Sequence, residues 1–209
     1  MICPICQHET RPHLHPDEKL RFYVCPFCEV CFKDIDHYPS LEEEKRRYQA
    51  HQNNLDNQHY VTYLKNFIHL AITPFDVNHL LDYGCGPSPV LQSILKEMNY
   101  DVDLYDPFFY PDQPQKTYDM VISTEVFEHF HHPIASFEHI NQLICPQGYL
   151  SIMTLFRPMD LDAFDQWFYI RDITHVILYT PKTLKIIAQR MGWHMIFCDN
   201  KRIAVFQKK

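Results

Sequence analysis

Glycine is scarce in this chain, with four residues in 209, so each one marks a place where the backbone has a special demand. Gly84 and Gly86 stand together, Gly148 precedes an apolar run, and Gly192 follows a helix-like one. A glycine-rich loop with Lys and Ser or Thr, the cradle for nucleoside triphosphates, is lacking. Clustered positive charge is lacking too: 19 Lys and Arg against 26 Asp and Glu give a formal net charge of -7. Only Lys45 to Arg47 and the Lys208-Lys209 pair group basic residues, which excludes a surface that grips duplex DNA. No apolar run reaches the roughly 18–20 residues of a membrane span, and the chain opens "MICPIC" rather than with a basic-then-apolar leader. The expectation is a soluble, cytoplasmic protein with no membrane partner. Its length allows one sizeable domain with a small appendage.

Cysteine is plentiful by contrast, with eight residues. Cys3-x-x-Cys6, eighteen residues, then Cys25-x-x-Cys28 has the spacing of a four-thiolate zinc site. Two knuckles brought together by a hairpin would close a tetrahedral shell with no open position, so the zinc would be structural. Cys28 and Cys31 form an alternative Cys-x-x-Cys. The twin sequences "CPIC" and "CPFC" favour Cys25 and Cys28 and leave Cys31 spare. His8, His13 and His15 lack ligand spacing and read as loop residues.

Three segments follow from the pattern: 1–39 as a zinc-ribbon-like unit, 40–73 as a helical bridge, and 74–209 as the main domain. Ser40 and Glu43 form a capping-box pattern ahead of a stretch free of Gly and Pro, predicting one or two helices. Tyr48, His51 and Asn54 would share a face that either packs on the main domain or roofs a site. Beyond Pro74, "VNHLLDYGCG", "YDVDLYD", "YDMVIST" and "GYLSIMT" alternate with helical stretches, which implies an α/β, mostly parallel sheet. Asp82, Asp106 and Glu125 fall at strand carboxyl ends, where such sheets bind ligands. A dinucleotide fingerprint fails, because Pro89 stands where the third glycine belongs. "WHMIFCD" and "RIAVFQK" predict a terminal antiparallel hairpin.

"LLDYGCGPSPVL", "DLYDP", "YDMVISTEVFEHF" and "LICPQGYLSIMT" resemble, in order and spacing, motifs of the class I S-adenosylmethionine-dependent methyltransferase superfamily. The likeness runs from about residue 80 to 208. It implies a Rossmann-like seven-stranded methyltransferase sheet with the last strand inserted antiparallel. It also implies S-adenosylmethionine as cofactor, with Asp82, Gly84 and Gly86 along its methionine and ribose, Asp106 on the ribose and Glu125 on the methyl side. The chain departs from the pattern in two places. Ser88 or Pro89 replaces a third glycine, and little room remains between Asp106 and Tyr118 for the third strand, leaving Phe108 or Phe109 to wall the adenine.

Glu125, Glu128 and His129, with the distant His175, resemble a constellation in small-RNA 3′-terminal 2′-O-methyltransferases, where two glutamates and two histidines hold a divalent ion against the acceptor hydroxyls. Ubiquinone-pathway O-methyltransferases carry a related Glu-x-x-Glu-His stretch. Such mixed oxygen and imidazole ligands would accept magnesium, manganese or zinc as a second metal without strong selectivity. The alternatives are His129 or His175 as a metal-free general base, or residues that order the pocket. His131, His132 and His139 read as surface or core-edge groups. Trp167, Phe168 and Tyr169 are either an aromatic wall for the acceptor or core, with Arg171 and Asp172 beside them. The reading is an enzyme that methylates a small-molecule acceptor at a hydroxyl or related atom. RNA modification with the ribbon docking RNA, and a protein-interaction module that binds cofactor without turnover, are the alternatives.

Overall fold

The computed structural model describes residues 1–17, 20–50 and 53–209. The first segment folds as three short strands, β1 (Arg11–Leu14), β2 (Arg21–Val24) and β3 (Cys31–Lys33). The bridge is two helices, α1 (Leu41–Gln49) and α2 (Gln58–Ala71). The capping box is formed: Ser40 Oγ accepts from the Glu43 N–H, and Glu43 reaches back to the Ser40 N–H. Of α1 only Glu44 is buried, whereas α2 buries Val61, Leu64, Phe67, Ile68 and Ala71 at helical spacing. His51, one of the three residues expected on a common face, lies outside the described residues.

The main domain then runs β4 (His79–Tyr83), α3 (Val90–Glu97), β5 (Asp101–Tyr105), β6 (Tyr118–Thr124), α4 (Pro133–Leu143), β7 (Ile144–Met153), α5 (Leu161–Asp165), β8 (Ile177–Leu178), α6 (Pro181–Met191), β9 (Trp193–Cys198) and β10 (Ile203–Lys208). The main sheet has the order β5-β4-β6-β7-β10-β9. Strands β5, β4, β6 and β7 are parallel, and β10 lies between β7 and β9, antiparallel to both. This is the Rossmann-like methyltransferase arrangement with its inserted last strand. The terminal hairpin is the β9–β10 pair.

The strand count differs from expectation. Among the described residues the sheet has six strands rather than seven, and none forms between Tyr105 and Tyr118. Pro107, Pro111 and Pro114 occupy that interval, and each removes a ladder donor. The loop instead reaches β5 through side chains, with Lys116 Nζ 3.0 Å from Asp103 Oδ2 and Gln113 Nε2 donating to Tyr105 Oη at 3.0 Å.

Both faces of the sheet are buried, as a mostly parallel sheet requires. Leu80, Met120 and Ile122 pack against α2 and α3. Leu81, Val121 and Ile152 pack on the other side with Phe137 of α4 and Leu184 and Ile187 of α6. That second core continues into the ribbon through Ile5, Val30 and Phe32. Strand β3 pairs antiparallel with β8, so the small sheet has the order β1-β2-β3-β8 and is completed by the main domain. Lys33, 3% exposed, donates to the Asp172 and Ile173 carbonyls at 2.7 and 3.1 Å. Among the described residues no helix is long and apolar enough to cross a membrane.

Candidate active site and metal centre

The two Cys-Pro-x-Cys turns adopt the same backbone. The Cys3 and Cys25 amides donate to the His8 and Val30 carbonyls, and the Gln7 and Glu29 amides return to the Cys3 and Cys25 carbonyls, all at 2.9–3.1 Å. Gln7 and Glu29, at matching positions, have φ of 61° and 67°. The paired knuckles bring Cys3, Cys6, Cys25 and Cys28 within 4.8 Å of one another. Sγ separations of 3.5 Å (Cys3 to Cys28) and 3.4 Å (Cys6 to Cys25) approach the value of about 3.8 Å for a tetrahedron with Zn–S near 2.3 Å. The donor set therefore fits a closed structural zinc site. Cys31 stands apart, fully buried against Phe22 and Phe164.

At the carboxyl ends of β4, β5 and β6 lies a cavity of about 1260 Å³, lined by Asp82, Gly84, Gly86, Asp106, Glu125, His129 and His175 among others. Gly84 and Gly86 have φ of 81° and 66°, conformations that favour glycine. A Cβ on Gly84 would meet the Val126 methyls at 2.5 and 2.7 Å, so the turns after β4 and β6 abut. A Cβ on Gly86 would meet nothing within 4 Å, so this backbone is open to a ligand. The Gly86 N–H donates to Asp106 Oδ2 at 3.0 Å, and Asp106 Oδ1 accepts from the Phe108 and Phe109 amides at 2.8 and 3.2 Å. Phe108 lines the cavity. Burial, with the nearby Asp106 charge, pushes the Asp82 carboxyl up to about 7.

Glu125 follows β6 with a left-handed backbone, φ 55°, a conformation that costs a non-glycine residue on the order of 1 kcal/mol. Its carboxyl accepts from Tyr63 Oη at 2.6 Å and from Tyr169 Oη at 2.9 Å. Tyr169 Oη also contacts Glu128 Oε1, and Thr154 Oγ1 donates to Glu128 Oε2 at 2.7 Å. A phenol has one proton for two carboxyls, so one of the pair must itself be protonated to complete the chain. Burial raises both glutamates to about 7, reinforced at Glu125 by the Glu128 charge.

His129 Nδ1 lies 2.9 Å from the Thr174 carbonyl, and His175 Nδ1 lies 2.7 Å from the Tyr169 carbonyl. A carbonyl only accepts, so both rings carry their proton on Nδ1 and keep the Nε2 lone pair. Burial lowers both imidazoles, His175 to about 3 with a further push from His129. Ligand atoms of Glu128, His129 and His175 lie within 4.8 Å of one another. Two neutral imidazoles anchored through Nδ1, beside a carboxyl group, are a donor set of the kind that imidazole-accepting divalent cations take. Glu125 is not in that cluster and joins it through Tyr169.

Helix α1 roofs the cavity with Leu41, Glu44, Arg47 and Tyr48. The Tyr48 ring lies 5.2 Å from His129 and 5.7 Å from Phe108. Arg47 donates twice to Asp172 Oδ2, at 2.7 and 3.0 Å, and His131 Nε2 lies 3.0 Å from Glu44 Oε1. Burial alone would raise Asp172, but hydrogen bonds from Arg47 and Thr174 outweigh it and hold the carboxylate well below its usual range. His131 and His132 line the cavity, and His139 contacts Tyr83 Oη at 3.1 Å. Of the aromatic trio, Tyr169 is buried in the site, Phe168 stands 70% exposed at the rim, and Trp167 is half-buried behind it. Sequence reasoning missed Tyr63 and Thr154. Tyr63 borders the apolar stripe of α2, and Thr154 directly follows β7.

The fold and the cavity at its strand ends are those of a methyltransferase domain. A family described as "Methyltransferase domain" matches residues 40–196, and the chain belongs to it. Among solved structures, Burkholderia thailandensis 1,6-didemethyltoxoflavin-N1-methyltransferase, bound to 1,6-didemethyltoxoflavin and S-adenosylhomocysteine, is similar at a TM-score of 0.60 and 10% identity, with 95% of this chain and 99% of that one covered. Human N-acetylserotonin methyltransferase in complex with SAM is similar at 0.57 and 14%, covering 81% and 56%. The mitomycin 7-O-methyltransferase MmcR gives 0.56 and 10%, covering 72% and 55%. This chain thus spans little more than half the length of the last two, and 62% of TnmH. At these identities the likeness is one of fold. No curated protein matches the sequence.

Proposed function

We propose that the protein transfers a methyl group from S-adenosylmethionine to a hydroxyl of a small molecule, with the acceptor held beside Glu128, His129 and His175 by a divalent cation. The observation that carries this reading is the pair of imidazoles anchored to the Thr174 and Tyr169 carbonyls next to Glu128. Support for a small acceptor comes from the net charge of -7 and from the neighbours, which methylate didemethyltoxoflavin, N-acetylserotonin and mitomycin.

S-adenosylmethionine, when bound, supplies an electrophilic methyl on a sulfonium, and a divalent cation would lower the acceptor hydroxyl's pKa. The chain's residues do the rest. The open Gly86 backbone would let the cofactor approach the turn after β4, and Asp82, Asp106 and Phe108, which line the same cavity, would hold its methionine, ribose and adenine. Glu125, held by Tyr63 and Tyr169, would sit on the methyl side of the bound cofactor. His129 and His175 stay neutral through burial, so their Nε2 lone pairs can ligate a cation, while the strong depression of His175 makes it the poorer candidate to take the acceptor proton. Helix α1 and Tyr48 exclude water from the aligned acceptor.

The test is a calorimetric titration of manganese into zinc-replete protein saturated with S-adenosylhomocysteine, repeated on His175→Ala. One manganese per chain, weakened at least tenfold in the variant, is expected. Intact S-adenosylhomocysteine binding with no manganese uptake would remove the metal and leave His129 or His175 as an acid or base.

A further inference from the structure

A second cleft, of about 680 Å³, opens where the ribbon meets the catalytic domain, on the far side of the 167–169 segment. Trp167 lines this cleft while Phe168 and Tyr169 line the catalytic cavity. Four of the chain's 19 cationic side chains, Arg157, Lys182, Lys185 and Lys201, line it against one acid, Glu29. In a chain of net charge -7, that is a local reversal of sign. It arises from three places in the sequence: the turn after β7, the first turns of α6, and the β9–β10 turn. No linear motif announces it.

Arg157 is 6% exposed and is held rigidly, with Nε donating to the Glu29 carbonyl and Nη1 to the Pro158 carbonyl, each at 2.8 Å. Its third nitrogen, Nη2, has no protein partner among the described residues. No sealed-off side-chain nitrogen or oxygen of the described residues lacks a partner, so Nη2 is not sealed from solvent, and Arg157 lines the cleft. A buried, oriented guanidinium with one edge free is suited to a tetrahedral oxyanion. Lys182 is paired with Glu29 at 3.0 Å, whereas Lys185 and Lys201 form no ion pair with a described residue. The positive end of α6 adds to the same field. Trp167, Pro158 and Met159, the last 57% exposed, provide an apolar wall.

We propose that this cleft is a second ligand site, for a phosphate ester of a small molecule with a flat body, its phosphate on Arg157, Lys185 and Lys201 and its body against Trp167. The volume suits a ligand of mononucleotide size. The acidic remainder of the chain opposes a longer polyanion.

Trp167 provides the signal. The only other tryptophan, Trp193, is 3% exposed and bonded to Asn141, so quenching reports on the cleft. With zinc-replete protein saturated with S-adenosylhomocysteine to occupy the catalytic cavity, ADP, pyrophosphate, adenosine and a single-stranded octanucleotide are titrated in turn. ADP should quench Trp167 saturably at micromolar to low-millimolar concentration, and adenosine should bind at least tenfold more weakly. Lys185→Glu with Lys201→Glu, both exposed and outside the catalytic site, should weaken ADP at least tenfold without altering homocysteine-product affinity. Absence of ADP binding, or binding indifferent to the two lysines, would overturn the site. Pyrophosphate binding as tight as ADP would overturn the role of Trp167, and octanucleotide binding far tighter than ADP would overturn the small-ligand assignment. Calorimetry on Trp167→Phe checks that the optical signal tracks binding.

Discussion

Gly84 and Gly86 share a left-handed backbone and differ in what a side chain would meet, which separates two energies in one turn. Gly86→Ala meets only the conformational penalty, about 1–2 kcal/mol for an L residue in that region. Gly84→Ala meets the same penalty and also drives its methyl to 2.5 and 2.7 Å from the Val126 methyls, next to backbone that Glu125 already strains. Overpacking of that kind costs about 1–3 kcal/mol. Gly84→Ala should therefore destabilise by about 2–5 kcal/mol, a large part of a typical domain's 5–15 kcal/mol. In a Val126→Ala background the two clashing methyls are gone and only the Val126 Cβ at 3.1 Å remains tight, so the cost of Gly84→Ala should fall most of the way to that of Gly86→Ala. The assay is urea unfolding of zinc-replete protein for all members of the cycle, with S-adenosylhomocysteine affinity measured alongside. Gly86→Ala should leave most stability intact yet weaken cofactor-product binding, because its methyl enters open space at the cavity wall. Equal costs for the two glycine variants, or a Gly84→Ala cost unchanged by Val126→Ala, would refute the reasoning.

Two further outcomes are expected. Cys28→Ser should lower the zinc content below one per chain, measured with a chromogenic chelator, whereas Cys31→Ser should keep one zinc and lose only packing against Phe22 and Phe164. Asp82 has a folded pKa near 7, above an unfolded value of about 3.9, so the folded state holds the extra proton between them and stability is lost as pH rises through that window. Asp82→Asn, which does not titrate, should gain on the wild type by about 2–3 kcal/mol between pH 5 and pH 8, read from unfolding midpoints. A difference that stays flat with pH would show that the Asp82 carboxyl ionises normally.

The parts of the fold that were legible in the sequence are those encoded locally. The Ser40 capping box, the Gly84-x-Gly86 turn, the twin cysteine knuckles and the terminal hairpin each follow from neighbouring residues. The superfamily likeness led to a seventh strand, although the prolines at 107, 111 and 114 argue against one. The rest of the site depends on distant contacts. Glu128 and His129 were visible from their position after a strand, but Tyr63, which holds Glu125 from 62 residues away, gave no sign beyond its place beside an apolar stripe. Arg47, which bonds to Asp172, stood out in the sequence only as a member of the basic group Lys45 to Arg47. Strand β8 is two residues long, too short to carry a period, and its role is set by β3.

That β3–β8 pairing bears on how the chain is made. Phe32 emerges from the ribosome early and its partner Ile177 only after most of the chain has followed. Zinc can knit the knuckles in the meantime, but one side of β3 and the apolar faces of Val30 and Phe32 have to wait uncovered. A nascent chain in that state presents an open strand edge to its neighbours. A ribbon whose last strand is borrowed from beyond residue 176 is therefore complete only when nearly the whole chain has been made.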